Sequence, residues 1–501
     1  MIEASNIIPL FVSISLAGAF ITTIVGKRVR WLPDVLGNVT TFILFLISLV
    51  AVGVTCKYGT LVYSVGAWKP PFGIAMVLDG MTSFMLVTVN TVALCISIFS
   101  IDYMKKYTSK WKFYSLFLLM LAGMNGVIVT GDLFNLFVFL EIASVASYAL
   151  VAFGTEKHEL EAAFKYAVMS TVGSMFVLMG IVLMYSYTST LNMADMANIL
   201  AEKGGGNIIL MVSVFFLMGF GLKAALVPFH AWLPDAHPSA PAPISAMLSG
   251  VLIKSLGVYA LCRMFFNVIG ISPTISEVFL VLGTLSMVIG VFLAIGQWDF
   301  KRLLAYHSIS QIGYVILGIG LGTPLGIMGG LFHLFNHSVF KSLLFLNSGA
   351  VEYATGTRDL KEMGGLAQKM PVTGTTSFIA SMSIAGIPPF NGFWSKLIII
   401  IAAVQAGRYG YAMWAVIASV LTLASFMKVM KYAFFDRIKQ RWEQVQEVPF
   451  FMKLSMGLLA VICMFAGLLA LSGVAALFLD GARDTLVEGI KYATIVFKGI
   501  G

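Results

Sequence analysis

"FLMGFGLKAALVPFHAWLPDAHPSAPAPISAMLSGVLIKSLG", residues 216–257, contains two apolar runs separated by a proline-rich break. Lys223 and Lys254 sit inside the apolar runs, while His230, Asp235 and His237 lie in the break. A charged side chain at the bilayer centre costs at least about 2.5–3.5 kcal/mol on insertion scales, so such residues face protein or water and mark function. The stretch therefore fits a helical membrane protein with a polar interior.

The rest of the chain agrees. Of its 501 residues 59% are hydrophobic and only 11% charged, against roughly 25% charged in soluble domains. Apolar runs of about 20 residues, the length that crosses a bilayer, recur from end to end. The ten-residue alternation of an outer-membrane barrel is absent. The expected fold is an all-α polytopic membrane protein with about 14 transmembrane helices. They fall near 6–25, 35–55, 78–99, 112–130, 132–153, 161–186, 207–229, 241–265, 275–296, 302–321, 325–350, 371–404, 411–434 and 453–478. The start, MIEASNII, lacks a basic region and a small-residue cleavage site, so the first run reads as a retained helix.

The net charge of +9 is concentrated in clusters: Lys27/Arg28/Arg30, Lys105/Lys106/Lys110/Lys112, Lys301/Arg302, Arg358/Lys361/Lys369 and Arg437/Lys439/Arg441. All fall in loops on one side of the fourteen-helix scheme. The positive-inside rule makes that side cytoplasmic and puts both termini outside, in a multi-pass protein of the cytoplasmic membrane. The basic excess thus reports topology rather than nucleic-acid binding. Cys56, Cys95, Cys262 and Cys463 share no ligand-like spacing and read as small hydrophobes rather than a metal site. No GxGxxG fingerprint or P-loop is present. No cofactor is expected, and no redox chemistry is visible in the chain.

Two halves superpose at a shift of 167 residues, which lays Asp132 on Asp299, Ile142 on Ile309, Leu150 on Leu317 and Met196 on Met363. A shift of 161 lays Pro228-Phe229 on Pro389-Phe390, and a rival shift of 140 lays Tyr166, Ser170 and Gly173 on Tyr306, Ser310 and Gly313. The 167 shift covers five spans, an odd number, so the unit would be inverted. The expected organisation is an N-terminal three-helix segment (1–111), a first inverted five-helix repeat (112–265), a second (275–434) and a C-terminal helix with a short tail (435–501). Inverted repeats place ion sites near the midplane at helices broken by Gly or Pro. Here those two helices carry Pro228 and Pro388-Pro389.

Ionisable residues lie inside several spans: Glu141, Lys223, Lys254, Lys341 and Lys396. Burial favours the neutral form of a lysine, which is what a proton carrier needs. His333, His337 and Lys341 recur every four residues and form one stripe along a helix. The HxxxH spacing also suits zinc, but no further ligand accompanies it. A relay fits better, since histidine titrates near neutrality; buried histidines bonded to backbone are the structural alternative. His307 adds a polar step on the preceding helix, and His230 and His237 offer support in the break. Lys396 could snorkel to an interface. Lys165 follows Glu161 by one turn and suits a surface ion pair, and His158 suits a solvated loop.

Assembled, these residues resemble the antiporter-like subunit family, which includes large membrane subunits of NADH:quinone oxidoreductase, Mrp-type sodium/proton antiporters and membrane-bound hydrogenases. The resemblance spans roughly 70–435. It rests on "GDLFNLFVFLEI", "GLKAALVPFHAWLPDAHPSAPAPISAMLSG", "LIKSLGVYAL", "FHLFNHSVFKSLLFL" and "AGIPPFNGFWSK". It implies fourteen helices with two inverted five-helix repeats. Glu141 and Lys223 become the charge pair of a first half-channel, Lys254 a central bridge, His333, His337 and Lys341 a second-half relay, and Lys396 the exit-side site. Lysine rather than glutamate at 396, and the lack of a long lateral helix, point away from two subtypes, while the loop "DAHPSAPAP" and the "FNGFWSK" ending are most similar to the hydrogenase and Mrp branches. The implied partners are other membrane subunits, including further antiporter-like ones, with peripheral redox subunits in redox-driven complexes. The implied role is the ion-translocating subunit of an oxidoreductase or antiporter complex. A free-standing sodium/proton antiporter and a structural scaffold are the rival readings. The first has few buried carboxylates to bind sodium, and the second leaves the lysines unexplained.

Overall fold

A computed structural model describes residues 2–470 and 472–500. Eleven described helices are long and apolar enough to cross a membrane. Three further crossings escape that criterion for visible reasons: one is short, one carries the polar stripe, and one is broken. The fourteen are α1 (Leu10–Val25), α2 (Leu32–Tyr58), α3 (Gly80–Tyr103), α4 (Lys110–Val129), α5 (Leu133–Val151), α6 (Lys157–Thr188) and α7 (Gly206–Lys223). Then come α8 (Ala242–Val268), α9 (Pro273–Ile295), α10 (Phe300–Gly320), α11 (Pro324–Thr355), α12 (Pro371–Ala385, resuming at Asn391–Gln405), α13 (Tyr409–Phe435) and α14 (Phe450–Ala470). The polytopic all-helical expectation therefore holds.

The repeat is visible in backbone detail. α6 and α11 each run 32 residues and begin 167 positions apart. Asp132 caps α5 by accepting from the Asn135 amide at 2.7 Å, and Asp299 caps α10 by accepting from that of Arg302 at 2.8 Å. Isolated bridges join Asp132 to Asn192 and Asp299 to Asp359, again at the same offset. Five crossings separate the two caps, so they lie on opposite faces and the halves α4–α8 and α9–α13 are inverted. The shift of 140 pairs neither the 32-residue helices nor the isolated bridges.

Both broken helices part at proline. α7 stops at Lys223 and the chain resumes as a short helix, Leu233–Ser239. α12 stops at Ala385 and resumes at Asn391. Backbone groups freed within a membrane need new partners. Trp232 Nε1 donates to the Leu222 carbonyl at 3.1 Å, and the Val227 amide donates to Ser286 Oγ of α9 at 2.9 Å.

α8 is the most enclosed crossing, buried throughout its span. It is π-helical over Leu248–Leu252, Lys254–Tyr259 and Arg263–Val268, a geometry frequent at functional sites. Gly257 brings it against the broken α7: a Cβ there would sit 2.5 Å from the Ala224 backbone, so only glycine fits.

Other elements were not expected from the sequence. A hairpin, β1 (Leu61–Ser64) and β2 (Ala75–Leu78), lies between α2 and α3. A surface helix covers Met193–Lys203. Beyond α14, Ser472–Val487 packs on α3 and α11, and Tyr492–Ile500 packs on the Met193–Lys203 helix and β1.

Candidate functional site

The first cluster is built from three helices. Glu141 and Ser144 share a face of α5, and Ser170 and Ser174 share a face of α6 one turn apart. Lys223 closes the cluster from the end of α7. Its ammonium donates to Ser170 Oγ at 2.6 Å and to Ser144 Oγ at 3.0 Å. Glu141 Oε1 lies 3.8 Å away, an ion pair but too long for a direct hydrogen bond. Ser174 Oγ donates to the same oxygen. Burial is unequal: the lysine side chain is 4% exposed and the glutamate 32%. Carboxylate and ammonium thus each have hydroxyl partners of their own and no direct hydrogen bond to one another. Tyr166, one turn from Ser170, hydrogen-bonds Ser147 and stacks on Trp232 at 4.4 Å, which fixes α6 against the break.

The second cluster surrounds Lys254. Its ammonium reaches back along α8 to the carbonyls of Ser249 and Gly250, both at 2.6 Å. His237 is fully buried, edge-on to Phe345 at 5.4 Å. Lys254 and Lys341 lie within electrostatic range of each other and of both His237 and His337. Among the described residues no hydrogen bond or ion pair joins Lys223 to Lys254; their helices, α7 and α8, touch through the Gly257–Ala224 contact.

The third cluster runs down α11. His333 bonds Ser395 through Nδ1 at 2.9 Å and Gln311 through Nε2 at 3.2 Å. His337 stacks one turn on, with ring centroids 6.3 Å apart. Lys341 follows, fully buried and 5.6 Å above the Phe345 ring. Across from the stripe, Lys396 donates to the Ile384 carbonyl at 2.7 Å, beside the second break, and lies 4.7 Å over Tyr314. Lys396 is 2% exposed, so it is buried rather than snorkelling. His307 bonds Ser425 at 2.8 Å. Within the described residues, the ring nitrogens of His237 and His337 and the Lys341 ammonium have no hydrogen-bond partner. Polar groups so placed require water.

The structure thus gathers Glu141 with Lys223, Lys254 with His237, His337 and Lys341, and His333 with Lys396 nearby. His230 stands apart, half-buried in the break. Lys165 pairs with Glu161 at 2.8 Å, and His158 is exposed. Sequence reasoning missed the hydroxyls that hold the lysines. Their signal was present as helical spacing, Glu141/Ser144 and Ser170/Ser174, but serine is too common in membrane helices to stand out. It also missed a buried ion pair: Arg263 of α8 grips Asp79 through two hydrogen bonds of 2.8 and 2.9 Å and adds Tyr259, Asn267 and Thr82. That pair anchors α8 to the start of α3.

Fold and charge line together define a class: polytopic membrane subunits made of two inverted five-helix repeats with ionisable groups across the middle. Comparison narrows it. A family model described as NADH:quinone oxidoreductase/Mrp antiporter, TM, matches residues 130–422, and one for the N-terminus of complex I chain 5 matches 64–114. The chain belongs to the NADH:quinone oxidoreductase/Mrp antiporter family and is an antiporter-type membrane subunit. It is 39% identical to a Na(+)/H(+) antiporter subunit of Alkalihalophilus pseudofirmus, over 77% of this chain and 78% of that one. It is 37% identical to an NADH-quinone oxidoreductase subunit of Desulforudis audaxviator, over 75% and 76%. Among solved structures, a chain of the Mrp complex from Dietzia sp. superposes with a TM-score of 0.91 at 28% identity, covering 100% of both chains. A chain of the membrane-bound sulfane sulfur reductase, an archaeal respiratory membrane complex, superposes at 0.89 and 30% identity, covering 98% of this chain and 100% of that one.

Proposed function

We propose that this chain translocates protons as one subunit of a larger complex in the cytoplasmic membrane, of the Mrp antiporter or membrane-bound hydrogenase type. Both termini face outward. Its partners are other membrane subunits, including further antiporter-like ones, and in a redox-driven complex also peripheral redox subunits. The observation that carries the reading is Lys223, buried between Glu141 and two serine hydroxyls at a broken helix.

A lysine beside a carboxylate keeps its proton; when the carboxylate draws away, burial favours release. Weakening the Glu141–Lys223 pair pushes a proton toward Lys254. From Lys254 the charge moves through Lys341, His337 and His333 to Lys396, each step biasing the next. Water links the groups that lack protein partners. His237 and His307 flank this line, and His230 borders the first break. The chain supplies no driving energy itself, so that energy comes from partner subunits.

Lys223→Ala tests the reading. In the assembled complex reconstituted into vesicles, pumping should fall by about 100-fold, as expected for a positioned proton-transfer group. Undiminished pumping overturns it. Purification in mild detergent tests the setting. Co-purifying hydrophilic redox subunits indicate a hydrogenase-like or NADH:quinone oxidoreductase assembly, and membrane subunits alone an Mrp-type one.

A further inference from the structure

A polar cavity of about 430 Å³ opens where the two repeats meet, on the face shared by the end of α3 and the starts of α6 and α10. Its wall includes Ser239–Ala240–Pro241 of the break, Lys301 and Glu352. Lys301 is almost wholly buried, pairs with Glu352 Oε2 at 2.8 Å and donates to the Ala240 carbonyl at 3.2 Å. Glu352 remains 24% exposed to the cavity, and Arg358 stands 3.8 Å from its other oxygen. Tyr103, Lys106 and Tyr107 face it from the end of α3.

From this mouth a ladder of hydroxyls leads inward. The Ala240 carbonyl that receives Lys301 also receives Ser245 Oγ, at 3.2 Å. One turn further along α8, about 6 Å and the span of one water, Ser249 Oγ shares a hydrogen bond of 2.6 Å with Ser308 Oγ. The Ser249 carbonyl holds the Lys254 ammonium. Ser308 occupies, at the 167 shift, the place that Glu141 has in the first repeat. Lys254 reaches back along α8 toward the break that walls the cavity.

We propose that this cavity is a proton-loading vestibule that supplies Lys254 directly from water, with Glu352 as its acceptor. This rests on the relay reading above and adds an entrance to it. A proton leaves hydronium for the Glu352 carboxylate, loosening its pair with Lys301. It passes by way of water to the Ser245 hydroxyl, which takes one proton and gives up its own. The Ser249–Ser308 pair repeats the exchange, and a water hands the proton on to the neutral Lys254 amine, whose contact with Ser249 is to the backbone carbonyl. Only O–H and N–H bonds form and break. Lys223 stays necessary, because its change of charge displaces the proton that the vestibule has loaded.

The test uses the assembled complex in vesicles, with pH set separately on the two sides. Glu352→Gln should pump about tenfold more slowly at neutral pH, in the lower range for losing one acid–base group. Lowering pH on the vestibule side should restore the rate, and lowering it on the other side should not. Glu352→Asp should retain most of the rate. If Glu352→Gln does not assemble, Ser249→Ala, which spares the ion pairs, is read instead and should slow pumping without pH rescue. Wild-type rates in Glu352→Gln or Ser249→Ala, with Lys223→Ala inactive, overturn the vestibule alone. Wild-type rates in Lys223→Ala overturn the relay beneath it.

Discussion

The two repeats have the same backbone and opposite chemistry. At the 167 shift, Glu141 falls on Ser308, Ser144 on Gln311, Tyr166 on His333, Ser170 on His337 and Ser174 on Lys341. The first repeat sets one carboxylate against one lysine and buffers them with serines. The second has histidines and a lysine on the long helix and no carboxylate in the equivalent place. A single unit has therefore been filled in two ways. The first half is suited to being switched, since a charge pair responds to small displacements; the second is suited to passing charge along, since its basic groups lie one turn apart.

The sharpest way to break this comparison is to remove the cation from the second half's polar stripe. Lys341→Ala leaves that stripe with His333 and His337 only. Pumping by the reconstituted complex should fall about 100-fold, with assembly unchanged on co-purification. A rate above half that of wild type would mean that the histidines suffice and Lys341 only fills space. Next in size is Glu141→Gln, which keeps the side chain's volume and its bond from Ser174 but removes the charge. A loss of about tenfold is expected, equivalent to 1.36 kcal/mol of differential interaction with the lysine's two protonation states. Glu141→Asp should fall between. Equal rates in Glu141→Gln and wild type would remove the switch from the first half and leave the halves alike.

Much of this arrangement was legible in the sequence, and the reasons differ by feature. Crossings are read from apolar length, which tolerates a buried lysine such as Lys254 without losing its pattern. The breaks are announced by proline, at Pro228 and at Pro388-Pro389. The repeat survived in its caps, because Asp132 and Asp299 serve the same backbone role whatever the interior chemistry. The π-helical turns of α8 left no trace, since hydrogen-bond register changes no residue type. Arg263 lies 184 positions from Asp79, and nothing local to either residue names the other. The hydroxyls were invisible for the opposite reason: Ser144 and Ser170 have the composition of ordinary membrane helices, and only packing gives them a lysine to hold. The tail, read as a short extension, folds into one helix on α3 and α11 and another on β1 and the Met193–Lys203 helix, a placement that only tertiary contacts reveal.

The smallest expected effect is also the most discriminating about how the first half works. Ser170→Ala removes the shorter of the two hydroxyl contacts to Lys223 and leaves Glu141 in place. If the serine only satisfies a donor, the loss is one hydrogen bond, about 1 kcal/mol net, and pumping falls about fivefold. If instead Glu141 alone holds the ammonium, the side chain swings toward the carboxylate, closes the 3.8 Å gap and pumps at the wild-type rate. A strengthened pair would hold its proton more firmly, so at a fixed driving force the variant's pH optimum would move upward. Measuring rate against pH for Ser170→Ala beside wild type separates the two cases: a lower rate with an unmoved optimum marks a lost contact, and a raised optimum marks a pair that the serine normally keeps apart.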